Sequence, residues 1–473
     1  MSKIAVVGSG YVGLVAAACF AELGHDVVCV DSDQAKIAAL QRGEVPIHEK
    51  FLPELIGRHR GSRLSFSSSL TDPVRVSDAI FIAVGTPPTE QGHADLSYVE
   101  AVSREIAAAI GGRRKTYKLI IEKSTVPVFT NDWICRVMQL NGAAQDSFDV
   151  ASNPEFLREG SAVTDFLYPD RIVVGCGTAR GTELLREIYA PLTSGSYYRQ
   201  KQAVPQPDGA RTPPLLIATS AKSAELIKHA SNAFLAMKIS FINAVANLCE
   251  LVGADVQQVC EGIGSDSRIG RRFLAPGIGY GGSCFPKDIL AFRAVAAEAG
   301  YDFRLLDEIM QINEEQRNRF VRKVRSALWT LKGKRLAVLG LAFKGGTDDV
   351  RESQAIAIVQ ALLKEGCEIV AYDPAAMSRA KEFFSASGNA HGLAFAESAY
   401  AAAQAADAVL VLTDWEEFTS LDLERLKSVL RYPIMIDGRN LFQPGAMAAL
   451  GFTYVSVGRP ELEALKSVAR SPK

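Results

Sequence analysis

Short apolar runs alternate with longer helical patterns along the N-terminal part of the chain. Ile4-Ala5-Val6-Val7 is followed by glycines and then the Ala-rich stretch Leu14–Leu23. Val27–Val30, Ala79–Val84, Leu119–Ile121, Phe148–Ala151 and Arg171–Val174 have the same β-branched character. The runs are continuous rather than alternating with polar residues, which predicts strands buried on both faces. A parallel sheet covered by helices on both sides meets that need.

The pattern recurs near the C-terminus. Arg335–Gly340 echoes Lys3–Gly8, Glu368–Asp373 echoes Asp26–Asp31, and Asp407–Thr413 echoes Asp78–Gly85. Three matched strands in the same order point to two related α/β domains. Between them, Leu226, Ala230, Phe234, Met237, Phe241, Val245 and Leu248 recur every three or four residues. This spacing predicts one helix over Ser220–Val252, roughly 48 Å long and able to bridge two domains. A second helical stretch, Ile289–Arg325, is expected to break near Gly300. The fold expected is thus α/β, with two Rossmann-like doubly wound domains joined by a long central helix. The divisions expected are 1–210, 211–325 and 326–473. Ser194–Pro214, with four prolines, reads as an exposed loop, and Arg470–Lys473 as a frayed tail.

Composition narrows the classes. Across 473 residues, 52 basic side chains meet 53 acidic ones, for a net charge of −1. No basic excess exists to hold a polyanion, so nucleic acid is not the expected partner. No run of about 20 apolar residues is evident, so no membrane span is expected. Ser2 and Lys3 lead straight into a strand, without the pattern of a signal peptide. The eight cysteines are scattered, without CxxC pairs, and several lie inside apolar runs. That pattern suits buried thiols in a cytoplasmic protein better than disulfides or a metal site, and no metal is expected.

Gly8-Ser9-Gly10-Tyr11-Val12-Gly13 follows a strand and opens a helix. In such a turn Gly8 permits the sharp bend, Gly10 lets the backbone approach a pyrophosphate, and Gly13 allows close helix–strand packing. Asp31 lies eighteen residues beyond Gly13, at the end of the next strand. There its carboxylate accepts hydrogen bonds from ribose hydroxyls and repels a 2′-phosphate, so NAD is expected over NADP. Lys36 offers charge to the phosphates of either. The second copy, Gly340-Leu341-Ala342-Phe343-Lys344-Gly345, departs from the pattern and is expected to take a different nucleotide, with Lys344 supplying charge directly.

Gly277–Asp288 carries the most chemistry. Four of the six residues Gly277–Gly282 are glycines, and Cys284 is then followed by Lys287 and Asp288. A neighbouring cation favours the thiolate, and a nucleophilic cysteine beside an NAD site suggests oxidation through a covalent thio-adduct. Lys228 and Asn232 share one face of the long helix, opposite the apolar stripe, and taken alone read as two solvated side chains. Asn153–Gly160 follows a strand end, where doubly wound folds place ligand-contacting loops; its carboxylates Glu155 and Glu159 suit base and cofactor-contact roles, or helix capping.

Taken together, Gly8–Gly13, Gly85-Thr86-Pro87, Ser124-Thr125-Val126-Pro127, Asn153–Gly160, Lys228 with Asn232, Gly281–Asp288, and Lys344 with Arg351-Glu352-Ser353 resemble the nucleotide-sugar 6-dehydrogenase family, in order along nearly the whole chain. The resemblance implies oxidation of a primary alcohol at sugar C6 to a carboxylate with two NAD in succession. It assigns Cys284 as nucleophile and Asp288 as base through a water. Lys228 and Asn232 stabilise an oxyanion, and Glu155 with Thr125 positions the hydrolytic water. It further implies cofactor contacts at Gly8, Gly10, Tyr11, Val12, Gly13, Asp31, Lys36, Thr86, Thr125, Glu159, Lys287 and Arg351. Substrate contacts are implied at Glu155, Phe156, Leu157, Lys228, Asn232, Phe273, Gly279, Tyr280, Gly281, Phe343, Lys344 and Arg439. Arg268 matches an arginine that reaches the sugar of a neighbouring subunit, so a homodimer is implied. Phe285 and Pro286 after the cysteine point to UDP-glucose; GDP-mannose and UDP-N-acetylhexosamines are the alternatives. A different class, a non-catalytic NAD-binding sensor or scaffold, would form no NADH. Ala275 departs from relatives that carry lysine there, and Ser194–Pro214 has no family role.

Overall fold

The computed structural model describes residues 1–89, 92–111, 116–210, 212–388 and 391–460. The expected frayed tail, Arg470–Lys473, lies outside the described residues. The chain forms two compact units. The first is Met1–Ser231 with Leu290–Tyr301; the second is Asn232–Ile289 with the chain from Asp302 onward.

The sheet of the first unit contains β1 (Lys3–Val7), β2 (Asp26–Val30), β3 (Leu64–Ser67), β4 (Ala79–Ile82), β5 (Lys118–Glu122), β6 (Phe148–Ser152), β7 (Arg171–Cys176) and β8 (Leu215–Thr219), in the order β3-β2-β1-β4-β5-β6-β7-β8. The continuous runs are buried on both faces as expected. Ile4 and Val6 pack with Phe20 and Phe81 on one side, while Ala5 and Val7 pack with Ile80 and Ile106 on the other. The expectation of a wholly parallel sheet needs correction. β7 meets β6 antiparallel, through Ala151–Cys176 and Ser152–Gly175, and β8 runs parallel to β7. An apolar run carries no direction, so only the connection through the helix Ala162–Leu167 determines it.

The second unit holds β9 (Arg335–Leu339), β10 (Glu368–Tyr372), β11 (Leu393–Phe395), β12 (Ala408–Val411), β13 (Ile434–Asp437) and β14 (Thr453–Ser456), all parallel, ordered β11-β10-β9-β12-β13-β14. This repeats the order of the first six strands, which is that of a dinucleotide-binding doubly wound sheet. The repeat extends to the turns. Gly8 and Gly340 both sit at positive φ, +103° and +98°. Asp31 accepts the Ser9 N–H after the first glycine, and Asp373 accepts the Leu341 N–H after the second.

The long helix runs Ala221–Val252, and the second helical stretch divides into Phe285–Glu298 and Arg304–Leu328 around Gly300. The orientation of the long helix inverts the reading of its two faces. Phe234 and Phe241 of the apolar stripe are 58% and 55% exposed, and Leu226, Ala230 and Leu248 are exposed too. Lys228 and Asn232, read as solvated, are instead 4% and 6% exposed. Periodicity shows which side chains share a face, not which face turns inward.

The helix also corrects the expectation that no segment is apolar enough to cross a membrane, since an 18-residue stretch within Ala221–Val252 averages a hydropathy of 1.5. Its polar side argues against that use. Ser240 donates to the Ile309 carbonyl and Asn243 accepts from the Gly277 N–H, both buried. In hydrocarbon, the Lys228 charge would cost about 3 kcal/mol.

Five cysteines are buried as expected: Cys19, Cys29, Cys249, Cys260 and Cys367. Cys135 and Cys176 are only half-buried, so the expected burial does not extend to them.

Candidate active site

The first unit presents a dinucleotide turn whose shape leaves room for a ligand. A Cβ on Gly13 would lie 1.8 Å from the Gly8 carbonyl oxygen, so close packing requires glycine there. A Cβ on Gly10 would meet nothing within 4 Å, which leaves open space on the side where a pyrophosphate approaches. No side chain caps the helix Tyr11–Glu22, leaving its N-terminal dipole end for an anion. Asp31 Oδ2 accepts from Ser9 N at 2.8 Å and Ser9 Oγ at 2.6 Å, with the Lys36 Nζ at 3.3 Å. Burial opposes ionisation of Asp31, but the Ser9 and Asp33 hydrogen bonds and Lys36 outweigh it and hold the carboxyl below its usual range. The residues present therefore fit a dinucleotide. Tyr11 donates to Glu49, and its hydroxyl accepts the Gly160 N–H at 2.7 Å; Val12 is half-buried beside it.

At the second unit's turn the carboxylate takes one more of the turn's backbone donors than Asp31 does. Asp373 Oδ2 accepts both the Leu341 and Ala342 N–H groups, at 2.7 and 3.0 Å, and the Trp415 indole N–H. This turn is closed by its own carboxylate, in keeping with the departure of Gly340–Gly345 from the dinucleotide pattern.

Chemistry-bearing residues of the first unit cluster at the carboxyl ends of β5 and β6. Lys228 Nζ pairs with Glu155 Oε1 at 3.0 Å, both buried, and lies 5.5 Å from the Phe156 ring centroid. Glu155 Oε2 accepts the Leu157 N–H at 2.5 Å, so a single carboxylate binds a cation and braces its own loop. The Thr86 hydroxyl donates to the Thr125 carbonyl at 2.8 Å, and Glu159 is half-buried.

Sequence reasoning missed the groups beneath this cluster. Lys123 is buried and donates to the Asn153 carbonyl and side chain; burial pushes it down to about 8, against the pull of Glu155 and Glu122. Glu225 accepts the N–H groups of Phe129 and Asn131, and burial pushes it up to about 7. The available signal was Glu122-Lys123 directly abutting an apolar run, where a charged pair reads as a strand end.

In the second unit, Cys284 directly precedes the helix Phe285–Glu298, and Asp288 occupies that helix's first turn. Its position at the positive helix end stabilises negative charge on sulfur. The half-buried thiol is 3.7 Å from Ser283 Oγ. Asp288 is buried between two donors, the Asn232 amide at 2.5 Å on Oδ2 and the Lys287 ammonium at 3.0 Å on Oδ1. A thiol and a buried carboxylate thus occupy i and i+4 positions of one helix end.

Arg439 binds the glycine segment to the neighbouring loop, donating to the carbonyls of Gly279 at 3.4 Å and Phe343 at 3.1 Å. Phe343 fills the space that a Cβ on Gly282 would need, and a Cβ on Gly281 would lie 2.2 Å from the Glu352 carbonyl oxygen. Phe273 and Tyr280 both pack on Phe285, and Lys344 lies over the Phe343 ring. Arg351 pairs bidentately with Asp349, and Arg268 pairs with Asp266 while 87% exposed. Also missed were the buried amides of Asn243, Asn313, Gln316 and Gln354, which hydrogen-bond the backbone of Gly277 and Tyr280. Each is a polar residue at an inward position of an otherwise apolar helical face.

A dinucleotide-type domain, its repeat with a modified turn, and a thiol one helical turn from a buried carboxylate define an oxidoreductase of the nucleotide-sugar dehydrogenase class. The chain belongs to the UDP-glucose/GDP-mannose dehydrogenase family: residues 2–193 match its NAD binding domain, 222–315 its central domain and 337–444 its UDP binding domain. It is 46% identical to the UDP-glucose 6-dehydrogenase of Rhizobium meliloti strain 1021, over 97% of this chain and all of that protein. With the UDP-glucose 6-dehydrogenase TuaD of Bacillus subtilis strain 168 it shares 44% identity, over 97% of this chain and 94% of the relative. Among solved structures it is similar to a UDP-glucose dehydrogenase from the hyperthermophilic archaeon Pyrobaculum islandicum, with a TM-score of 0.82, 38% identity, and 93% and 94% of the two chains covered.

Proposed function

We propose that this protein oxidises UDP-glucose at C6 to UDP-glucuronate, consuming two NAD per turnover. The observation that carries the reading is Cys284 at a helix N-terminus one turn from the buried, doubly held Asp288, in a chain with a dinucleotide turn and its modified repeat. Near-full-length similarity to UDP-glucose 6-dehydrogenases favours this substrate over GDP-mannose or a UDP-N-acetylhexosamine. Residues 1–210 serve the cofactor, 211–325 the catalytic cysteine and long helix, and 326–473 the nucleotide sugar. The setting is cytoplasmic.

NAD, when bound, accepts the hydride of each oxidation. Asp288 takes the hydroxyl proton from C6, directly or through a water, while Lys228 and Asn232 stabilise the oxyanion. Cys284 adds its sulfur to the resulting aldehyde carbon, giving a thiohemiacetal whose remaining C–H is the second hydride. Its loss leaves a thioester, which water positioned by Glu155 and Thr125 cleaves to carboxylate and free thiol. The covalent step retains a half-oxidised intermediate that would otherwise hydrate and diffuse away.

The stripe Leu226, Phe234, Phe241 and Leu248 supports a homodimer, because exposed apolar area at helical spacing calls for a cover. The outward-pointing Arg268 fits a role in the partner's site. The direct test supplies NAD with UDP-glucose, GDP-mannose or UDP-N-acetylglucosamine and counts NADH against uronate. Two NADH per uronate are expected with UDP-glucose. An absence of NADH with all three would support the scaffold reading instead.

Asp31 sets the cofactor preference. Asp31→Ala is expected to weaken NAD binding about tenfold, the loss of roughly one charge-assisted hydrogen bond, and to narrow the gap to NADP. Titration of the unsubstituted and substituted proteins with both cofactors measures this. Equal affinity of the unsubstituted protein for NADP would sink the argument.

A further inference from the structure

The segment leading to Cys284 has almost no backbone hydrogen bonds of its own. The Gly282 N–H donates to the Arg351 carbonyl at 3.1 Å and Arg439 reaches the Gly279 carbonyl, while side-chain amides hold Gly277 and Tyr280. Asn313, on the helix Arg304–Leu328, does what a neighbouring strand would do. Its Oδ1 accepts the Tyr280 N–H at 2.8 Å and its Nδ2 donates to the Tyr280 carbonyl at 3.0 Å. Gln354 adds a second donor to that carbonyl at 2.9 Å, and Gln316 and Asn243 hold the two ends of the Gly277 peptide unit. Of these four amides, Asn313 has both polar atoms engaged, whereas Asn243 Nδ2, Gln316 Oε1 and Gln354 Oε1 have no partner.

The adjoining glycine is matched to this amide. Gly279 has φ +110°, and a Cβ there would lie 2.6 Å from Asn313 Oδ1. An amide seated so closely leaves the backbone at Tyr280 one register. Four residues later the chain delivers a sulfur that must meet an aldehyde carbon within a few tenths of an ångström.

We infer that Asn313 is a positioning residue for Cys284: by pairing with both backbone groups of Tyr280 it holds the glycine segment in the register that lets the thiol capture the aldehyde. The inference rests on the proposed role of Cys284. It separates the two oxidations. The first needs only Asp288 and its partners, whereas the second needs the sulfur in place. When capture fails, one alcohol is oxidised to one aldehyde with one NADH formed, and the aldehyde leaves.

The test is Asn313→Leu, which is nearly isosteric and makes neither hydrogen bond. The expected result is a fall of about 10²-fold in uronate formation with a smaller fall in NADH formation. NADH per uronate then rises above two, and hydroxylamine traps the escaped aldehyde as its oxime. A role confined to general stability would reduce both products in proportion, and a ratio fixed at two in a folded variant overturns the inference. Gly279→Ala displaces the same amide from the opposite side. It carries the test if Asn313→Leu does not fold, and a ratio of two there is equally decisive against the inference. Uronate formation by Cys284→Ser at the unsubstituted rate would instead overturn the role of Cys284 itself.

Discussion

Cys284→Ser is expected to lower uronate formation on the order of 10⁶-fold, the scale seen when a covalent nucleophile is removed. The hydroxyl is close in size, so the fold should survive, and the helix N-terminus that favours a thiolate cannot ionise a serine to a useful extent. In the proposed mechanism the first oxidation draws on Asp288, Lys228 and Asn232, none of which the substitution touches. The variant should therefore retain NAD and UDP-glucose binding. Any serine adduct that did form would be a poorer source of the second hydride and would end as a slowly hydrolysed ester. Rapid mixing with NAD and UDP-glucose, followed by separation of the uronate, measures the effect. Uronate at the unsubstituted rate would exclude the covalent mechanism.

Lys228→Met is expected to cost about 3–5 kcal/mol of stability in addition to abolishing turnover. Its ammonium is buried against Glu155, and removing it leaves a buried carboxylate without that partner. A methionine of similar length fills the space, so the loss is electrostatic rather than a cavity. The double variant Lys228→Met/Glu155→Gln removes both charges and should recover most of that stability, because neutral pairs pay little desolvation. On the proposed mechanism it should recover none of the activity, since that mechanism gives both groups a role. Urea unfolding of the three proteins beside their uronate assays separates the two roles. A double variant as unstable as the single one would show that the pair is not the source of the cost.

Much of the fold was legible because parallel strands buried on both faces must be continuously apolar. Ile4–Val7 and Leu336–Leu339 could therefore be placed without a structure, and so could the repeat linking them. β3, β8, β11, β13 and β14 passed unnoticed. Leu64-Ser65-Phe66-Ser67 and Leu393-Ala394-Phe395 lie at sheet edges or carry polar residues, and their pattern is too weak to separate from a loop. The reversal at β7 was equally invisible, because strand direction is a property of the connection.

The site divides in the same way. Gly8–Gly13 with Asp31, and Cys284 with Lys287 and Asp288, are local constellations: their members lie within one turn or one βαβ unit, so spacing alone brings them together. The pairs Lys228–Glu155 and Asn232–Asp288 join residues 73 and 56 positions apart. Lys123, Asn243 and Asn313 resemble ordinary polar residues until their backbone partners are seen.

The sequence by itself determined the two α/β repeats, the NAD turn and the identity of the one thiol set apart from the rest, since each rests on neighbours along the chain or on the burial demands of single segments. Only the tertiary structure decided that the long helix turns its apolar stripe outward and its Lys228–Asn232 side inward, and that four distant amides hold the glycine segment before Cys284. Helical periodicity is unchanged by rotating the helix about its axis. A buried hydrogen bond between distant residues leaves no mark on the spacing of either.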